Sequence, residues 1–192
     1  MSRQRSGDAG QLLATLPASV RAAPSPGVVV LGLDPGLASL GWGVVRREGT
    51  RSVHVAHGCV TTHNSEGTDH ERVAALATSL RLLIGLHKPA LVAVERWVCY
   101  GQSATTQAHT VGLVLGMIAT VCASEQVLMV AQHRAQDWRS AIGLHVTASK
   151  ANAQERVQRV LGLAAVPRPQ HAADALAVAV VTTVATAKGA RR

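Results

Sequence analysis

Four residues of this sequence have the types and the spacing that suit metal chemistry. Asp34 ends the apolar run VVVLGLD just before Pro35-Gly36, and Glu95 ends the apolar run LVAVE. One such acid often only marks a turn or the protein surface, and for Asp34 alone a turn aspartate is an equal interpretation. Two buried strands that both end in acids, however, indicate carboxylates that converge at one edge of a sheet.

His171 and Asp174 open the apolar segment HAADALAVAVV. Residues three apart share a helix face, and here that face should meet the sheet, because the rest of the helix is apolar on most of its circumference. Either residue alone would more often be a cap or a surface group, whereas the pair favours a functional site. Carboxylates with an imidazole suit Mg²⁺ or Mn²⁺, and the nitrogen ligand favours Mn²⁺.

The surrounding pattern predicts the elements that must position these residues. Residues 28–62 predict three successive strands joined by short turns. The predicted elements that follow are a helix over 68–86, a strand over 90–95, a helix over 103–123, a strand over 126–131, a helix from the N-cap Thr147 to Leu161, and a final helix over 171–187. This order, βββαβαβαα, predicts an α/β layer fold with a central five-stranded sheet.

Composition limits the class of protein and of partner. Hydrophobic residues make up 47% of the 192 residues and charged residues 16%, which excludes a disordered chain. The formal net charge of +8 favours a polyanionic partner such as nucleic acid, although a basic protein without that role would look the same. The three cysteines are far apart and form no CxxC pair.

We expect one domain over residues 27–188, preceded by a disordered basic tail over residues 1–26. The tail is rich in Arg and nearly free of acids, so an organelle transit peptide and a DNA-binding arm stay open as alternatives. No run of about 18 apolar residues occurs, so we predict no transmembrane helix and no membrane partner. We expect a cytoplasmic, nucleoid-associated protein, with organelle targeting by the tail left open.

Three segments resemble the RuvC-type Holliday-junction resolvases in order and spacing. They are GLDPGLASLGWGVV, LVAVERW and HAADALAVAVV, and the similarity extends over about residues 28–185. The resemblance implies an RNase H-like fold with a mixed five-stranded sheet flanked by helices. It also implies a homodimeric DNA endonuclease of recombination and repair, which resolves four-way junctions by paired symmetric nicks. A branch-migration machinery is a further candidate partner.

The resemblance assigns the catalytic, metal-binding roles to Asp34, Glu95, His171 and Asp174. They match the four catalytic positions of the family, where some members have Asp at the position of His171. Hydrolysis with two metal ions needs acidic ligands from distant strands, which agrees with this assignment. Asp34, on the central strand, is the natural bridging ligand, and two Mg²⁺ or Mn²⁺ ions are expected.

The resemblance also suggests residues that contact DNA. Lys150 matches a basic residue at a helix start, where it could bind phosphate or stabilise developing charge, and the scarcity of lysine in the sequence favours such a role over a solvated helix lysine, which stays open as an alternative. Arg139 is a candidate phosphate contact, next to Trp138 at a position that some relatives hold as Lys. Trp97 and Tyr100 lie where the family has an aromatic wedge, and either could stack at the centre of a junction.

Three other functions compete with junction resolution. The segment 32–43 also resembles the phosphate loop of actin and sugar-kinase proteins, but those need two such lobes and this chain supplies one. A related RNase H-like nuclease that acts on RNA or on other branched DNA would share the metal chemistry. A non-catalytic DNA-binding module is disfavoured because the acidic set is complete.

Overall fold

A computed structural model describes residues 27–96 and 104–189 of the chain. The strands are β1 (Val29–Asp34), β2 (Ser39–Glu48), β3 (Arg51–Thr61), β4 (Leu91–Arg96) and β5 (Leu128–Arg134). The helices are α1 (Asp69–His87), α2 (Ala104–Ser124), α3 (Ala135–Ala141), α4 (Lys150–Leu161) and α5 (Gln170–Gly189), with a 3₁₀ turn at Asn64–Glu66.

The five strands form one mixed sheet in the order β3-β2-β1-β4-β5. Strands β1, β2 and β3 pair antiparallel, whereas β4 pairs parallel to both β1 and β5. Strand β1 is therefore central, and the carboxyl ends of β1, β4 and β5 lie at the same edge. The predicted α/β fold with a mixed five-stranded sheet is confirmed.

Alternate residues of the central strands enter two separate cores. Leu31 and Leu33 of β1 pack with α1 and α2 on one face of the sheet, through residues such as Leu80 and Ile118. On the other face, Val30 belongs to the core that α3, α4 and α5 contribute to. The hydrophobic alternation of β1 thus fixes which of its residues face each helical layer.

Helix α5 lies directly on β1 and β2, because glycines on these strands leave room for its backbone. A Cβ atom at Gly41 would clash with the carbonyl oxygen of His171, and one at Gly32 would clash with the carbonyl oxygen of Ala175. Only glycine allows so close an approach. The contact brings the first turn of α5 to the end of β1, beside Asp34.

Two sequence-based assignments in the region 135–149 were wrong. Helix α4 begins after Ser149, whose hydroxyl accepts the Asn152 N–H at 3.1 Å, and not after Thr147, whose hydroxyl contacts His145 at 2.7 Å. Helix α3 was missed, because its seven residues include one buried side chain, that of Trp138, and so show no helical periodicity. Strand β5 also begins two residues later and extends three residues further than predicted.

One helix of the described chain, α2, has a stretch, Gln107–Ser124, that is long and apolar enough to cross a membrane by length and composition. Its buried side chains, including Val114, Ile118 and Val121, pack in the core shared with α1. This packing is that of a core helix in a layered α/β fold. Only 33% of the stretch is buried, however, so the described residues leave its outer face largely uncovered.

Candidate metal centre

Three carboxylates meet at the edge of the sheet where β1 and β4 end. Asp34 ends β1, Glu95 lies near the end of the adjacent β4, and Asp174 is the fifth residue of α5. One oxygen from each lies within 4.8 Å of the others. Within the described part of the chain, no other three His, Cys, Asp or Glu side chains form such a group. This cluster has the donor chemistry that Mg²⁺ and Mn²⁺ prefer.

His171 joins the cluster through Asp34. Its Nδ1 atom lies 2.6 Å from Oδ2 of Asp34, and its side chain is 49% exposed. The hydrogen bond to Asp34 raises the pKa of the imidazole above its ordinary value. The structure therefore brings all four predicted residues together, with His171 as a partner of Asp34 at the solvent side of the three carboxylates.

Burial and mutual repulsion disfavour full ionisation of the cluster. Burial, followed by the charges of Asp34 and Asp174, raises the pKa of Glu95 to about 8. Burial and the charge of Asp34 likewise raise the pKa of Asp174 to about 6, against a hydrogen bond from Gln170. Like charges in a low dielectric cannot all ionise without compensation. A bound cation would supply this compensation, so the residues fit a metal.

The cluster lies in a cleft of about 980 Å³ whose other charged residues are basic. We call the four of them the basic rim: Arg96, Arg134, Arg139 and Lys150. Lys150 is close enough to His171 for its charge to oppose protonation of the imidazole. The carboxylate cluster can bind cations, and the basic rim around it can bind phosphates. This arrangement suits a phosphodiester backbone that is bound next to metal ions.

Within the basic rim, Arg139 differs from the other three residues. Its Nη1 atom donates to the carbonyl oxygens of Ala148 at 2.7 Å and Val146 at 3.4 Å. Arg139 thus holds the loop that leads to Lys150. The other three rim residues are exposed at the cleft.

The sequence analysis missed three residues of this site. Arg96 follows Glu95 directly, so the strand-end argument that selected Glu95 would have found it, whereas Arg134 ends β5 three residues beyond the predicted strand end and that argument misses it. Trp138 is buried and donates its indole N–H to Glu95, a contact that no local pattern signals. The predicted wedge residues Trp97 and Tyr100 lie outside the described residues.

The fold and the carboxylates together define an RNase H-like nuclease. The first three strands of the sheet are antiparallel and the next two are parallel, and the carboxylates lie on β1, β4 and the last helix. Within this class the chain belongs to the RuvC family, because the sequence model of the family described as crossover junction endodeoxyribonuclease RuvC matches residues 30–182. The family is one of metal-dependent nucleases, in agreement with the carboxylate cluster.

Curated relatives and solved structures agree with this assignment. The chain is 39% identical over 152 residues to crossover junction endodeoxyribonuclease RuvC of Rubrobacter xylanophilus, covering 79% of this chain and 83% of the relative. The enzyme of the same name from Chloroflexus aggregans is 38% identical over 150 residues, covering 78% and 89%.

Among solved structures, RuvC of T. thermophilus in complex with Holliday junction substrate matches with a TM-score of 0.70 and 30% identity, covering 80% of this chain and 91% of that one. The yeast mitochondrial Holliday junction resolvase Ydc2 matches with a TM-score of 0.62 at 13% identity, covering 97% and 89%, and shows the shared fold alone.

Proposed function

We propose that this chain is a metal-dependent endonuclease that resolves four-way DNA junctions by paired symmetric nicks. The observation that carries the proposal is the group of Asp34, Glu95 and Asp174 within 4.8 Å, in a cleft with a basic rim. It is supported by the likeness to T. thermophilus RuvC, which was solved with Holliday junction substrate.

The acidic residues of the cleft would bind cations, and its basic residues would bind phosphates. Asp34, Glu95 and Asp174, with His171 beside them, would hold two Mg²⁺ or Mn²⁺ ions. Bound there, the ions would supply activation of the attacking water and stabilisation of the leaving oxygen. Asp34, on the central strand and in contact with His171, would hold a cation together with Glu95 and Asp174.

The exposed members of the basic rim would bind the DNA backbone. Arg96, Arg134 and Lys150 are exposed at the cleft that contains the carboxylates. Their charges attract phosphates without regard to sequence, which suits an enzyme that must first recognise a branched backbone. They would also counter the repulsion between the acidic cluster and a phosphodiester.

We further propose that the chain acts as a homodimer, because two symmetric nicks need two active sites. The uncovered face of α2 favours this arrangement. It presents exposed small residues, among them Gly112, Gly116 and Ala119, with open space around both glycines. A second copy of the same helix could approach closely along such a face, in an isologous contact.

Cleavage of matched substrates tests the proposal. Wild type and Asp34→Asn would be compared on a synthetic four-way junction, a linear duplex and an RNA, with Mg²⁺ or Mn²⁺. Glu155→Gln is a suitable control, because Glu155 forms an exposed ion pair with Arg159 on α4, and such pairs contribute little. We expect wild type and control to cut the junction in paired nicks, and Asp34→Asn to lose this activity.

Three results would contradict these proposals. Junction cleavage by Asp34→Asn at the wild-type rate would contradict the assignment of Asp34 as a metal ligand. A preference of the wild type for duplex or RNA over the junction would move the function to another branch of the RNase H-like nucleases. A particle that stays monomeric by light scattering, with and without junction DNA, would contradict the homodimer.

A further inference from the structure

A buried tryptophan contacts the carboxylate of Glu95. The indole Nε1–H of Trp138 donates a hydrogen bond to Oε1 of Glu95 at 3.2 Å. Trp138 lies in α3, which follows β5 directly, and 1% of its surface is exposed. An indole N–H only donates and does not titrate, so the contact favours the ionised form of the carboxylate.

The core holds the indole in place. Trp138 belongs to the buried cluster that also contains Ile142, Val157 and Leu176, from three different segments of the chain. A rigid ring that is enclosed by side chains from three segments has few alternative positions. Its N–H is therefore a fixed donor, and it restricts the rotation of the Glu95 carboxylate at the edge of the metal cluster.

Charge and hydrogen bonding are supplied to Glu95 by two neighbouring residues. Trp138 touches the carboxylate and is neutral. Arg139 carries the charge: its guanidinium carbon lies 5.3 Å from the centroid of the Trp138 ring, and the charge opposes the rise in the pKa of both Glu95 and Asp174. A lysine at position 138 would instead set a full positive charge against Glu95 and compete with a cation for it.

We propose that Trp138 is a positioning residue of the metal site, which orients Glu95 for a divalent cation without adding charge beside it. The inference rests on the proposed function, because it takes Glu95 as a metal ligand. Hydrogen-bond partners of ligating side chains typically contribute 10–100-fold in metal affinity. We expect loss of the indole N–H to weaken metal binding by about that factor.

The test measures binding of Mn²⁺ to the full chain by calorimetry, without substrate. Trp138→Phe keeps an aromatic ring and removes the N–H. Replacement of Trp138 by benzothienylalanine keeps the shape of the indole and removes only the N–H, so it stays informative if Trp138→Phe destabilises the fold. Trp42→Phe is the control, since Trp42 packs beside His87, with ring centroids 6.0 Å apart, on the other face of the sheet.

A spectroscopic signal separates positioning from general support of the fold. In ¹H–¹⁵N spectra, the indole signal of Trp138 is identified by its loss in Trp138→Phe. We expect it to shift when Mg²⁺ is added, because its acceptor binds the cation, while the signal of Trp42 stays unchanged. We also expect the benzothienylalanine protein to keep the wild-type melting temperature and to bind Mn²⁺ about 10–100-fold more weakly.

The outcomes distinguish this inference from the function on which it rests. Wild-type Mn²⁺ affinity in a folded benzothienylalanine protein would overturn the role of Trp138 and leave the proposed function intact. An equal loss of affinity in Trp42→Phe would also overturn it, because the effect would then come from general destabilisation. A folded wild type that binds no Mn²⁺ would overturn both.

Discussion

The Nδ1 atom of His171 lies 2.6 Å from Oδ2 of Asp34, which connects the first turn of the last helix to the end of the central strand. The two residues are 137 positions apart in the chain. Their contact depends on the close approach of α5 to the sheet over Gly41. The backbone of α5 and β2 thus fixes the position of the imidazole beside the carboxylate cluster.

The first prediction concerns the choice of metal. An imidazole beside the carboxylates favours Mn²⁺ more than an all-carboxylate site does. We expect the wild type to be at least as active with Mn²⁺ as with Mg²⁺, and His171→Asp to shift the ratio of Mn²⁺ to Mg²⁺ affinity toward Mg²⁺. Calorimetric titration with each ion gives the ratio. An unchanged ratio in His171→Asp would mean that the imidazole has no part in metal selection.

The second prediction concerns pH and stability in the absence of metal. The pKa of Glu95 is raised to about 8 in the folded chain, and that of His171 is also raised. The folded state therefore binds more protons than the unfolded state, so the free energy of unfolding falls as the pH rises from about 6.5 to about 8.5. Thermal unfolding in EDTA over this range measures the effect.

Glu95→Gln is the matched variant for this measurement. It removes the largest titrating contribution and leaves that of His171, so its melting temperature should fall less steeply over the same range. Mg²⁺ should restore stability to the wild type at the upper pH, because it binds the folded state. The histidines whose pKa is lowered by burial, including His133, act in the opposite direction and at lower pH. A parallel decline in both proteins would contradict the assignment to Glu95.

The third prediction tests the contact between α5 and β2. In Gly41→Ala the new methyl group would meet the carbonyl oxygen of His171. Overpacking of this kind costs about 1–3 kcal/mol in the free energy of unfolding. We also expect weaker Mn²⁺ binding, since the first turn of α5 must move. Chemical denaturation and calorimetry give the two values.

Gly85→Ala is the control for this substitution. Gly85 lies in α1 with open space where a Cβ would be, so alanine there should stabilise the helix by about 0.5–1 kcal/mol and leave metal binding unchanged. If Gly41→Ala behaved like Gly85→Ala, the close approach of α5 would not be what brings His171 to Asp34.

Local patterns in the sequence were sufficient to predict the sheet and the acidic strand ends. A buried strand appears as a run of consecutive apolar residues, and the charge that ends it follows directly in the same run. They were insufficient for contacts between distant segments. Trp138 and Glu95 are 43 positions apart, and their hydrogen bond depends on the short helix α3 that has no periodic signal. The choice of Ser149 over Thr147 as N-cap likewise depends on how the loop held by Arg139 packs.

The fourth prediction distinguishes two roles within the basic rim. Arg134 is exposed at the cleft, whereas Arg139 donates to the carbonyl oxygens of Val146 and Ala148. A residue that binds phosphate contributes about one unit to the dependence of log affinity on log salt concentration. We therefore expect Arg134→Gln to reduce the salt slope of junction binding by about 1, and Arg134→Lys to preserve it.

Arg139→Lys should behave differently, because a lysine keeps the charge but loses the guanidinium Nη1 that donates to both carbonyl oxygens. We expect its salt slope to stay at the wild-type value, because the charge is kept, while its melting temperature falls, because the loop that leads to Lys150 is held less firmly. Fluorescence anisotropy of a labelled junction across salt concentrations, with thermal unfolding of the same proteins, gives both quantities. If Arg139→Lys kept wild-type stability and affinity, and Arg139→Gln lowered the salt slope, Arg139 would be a phosphate contact after all.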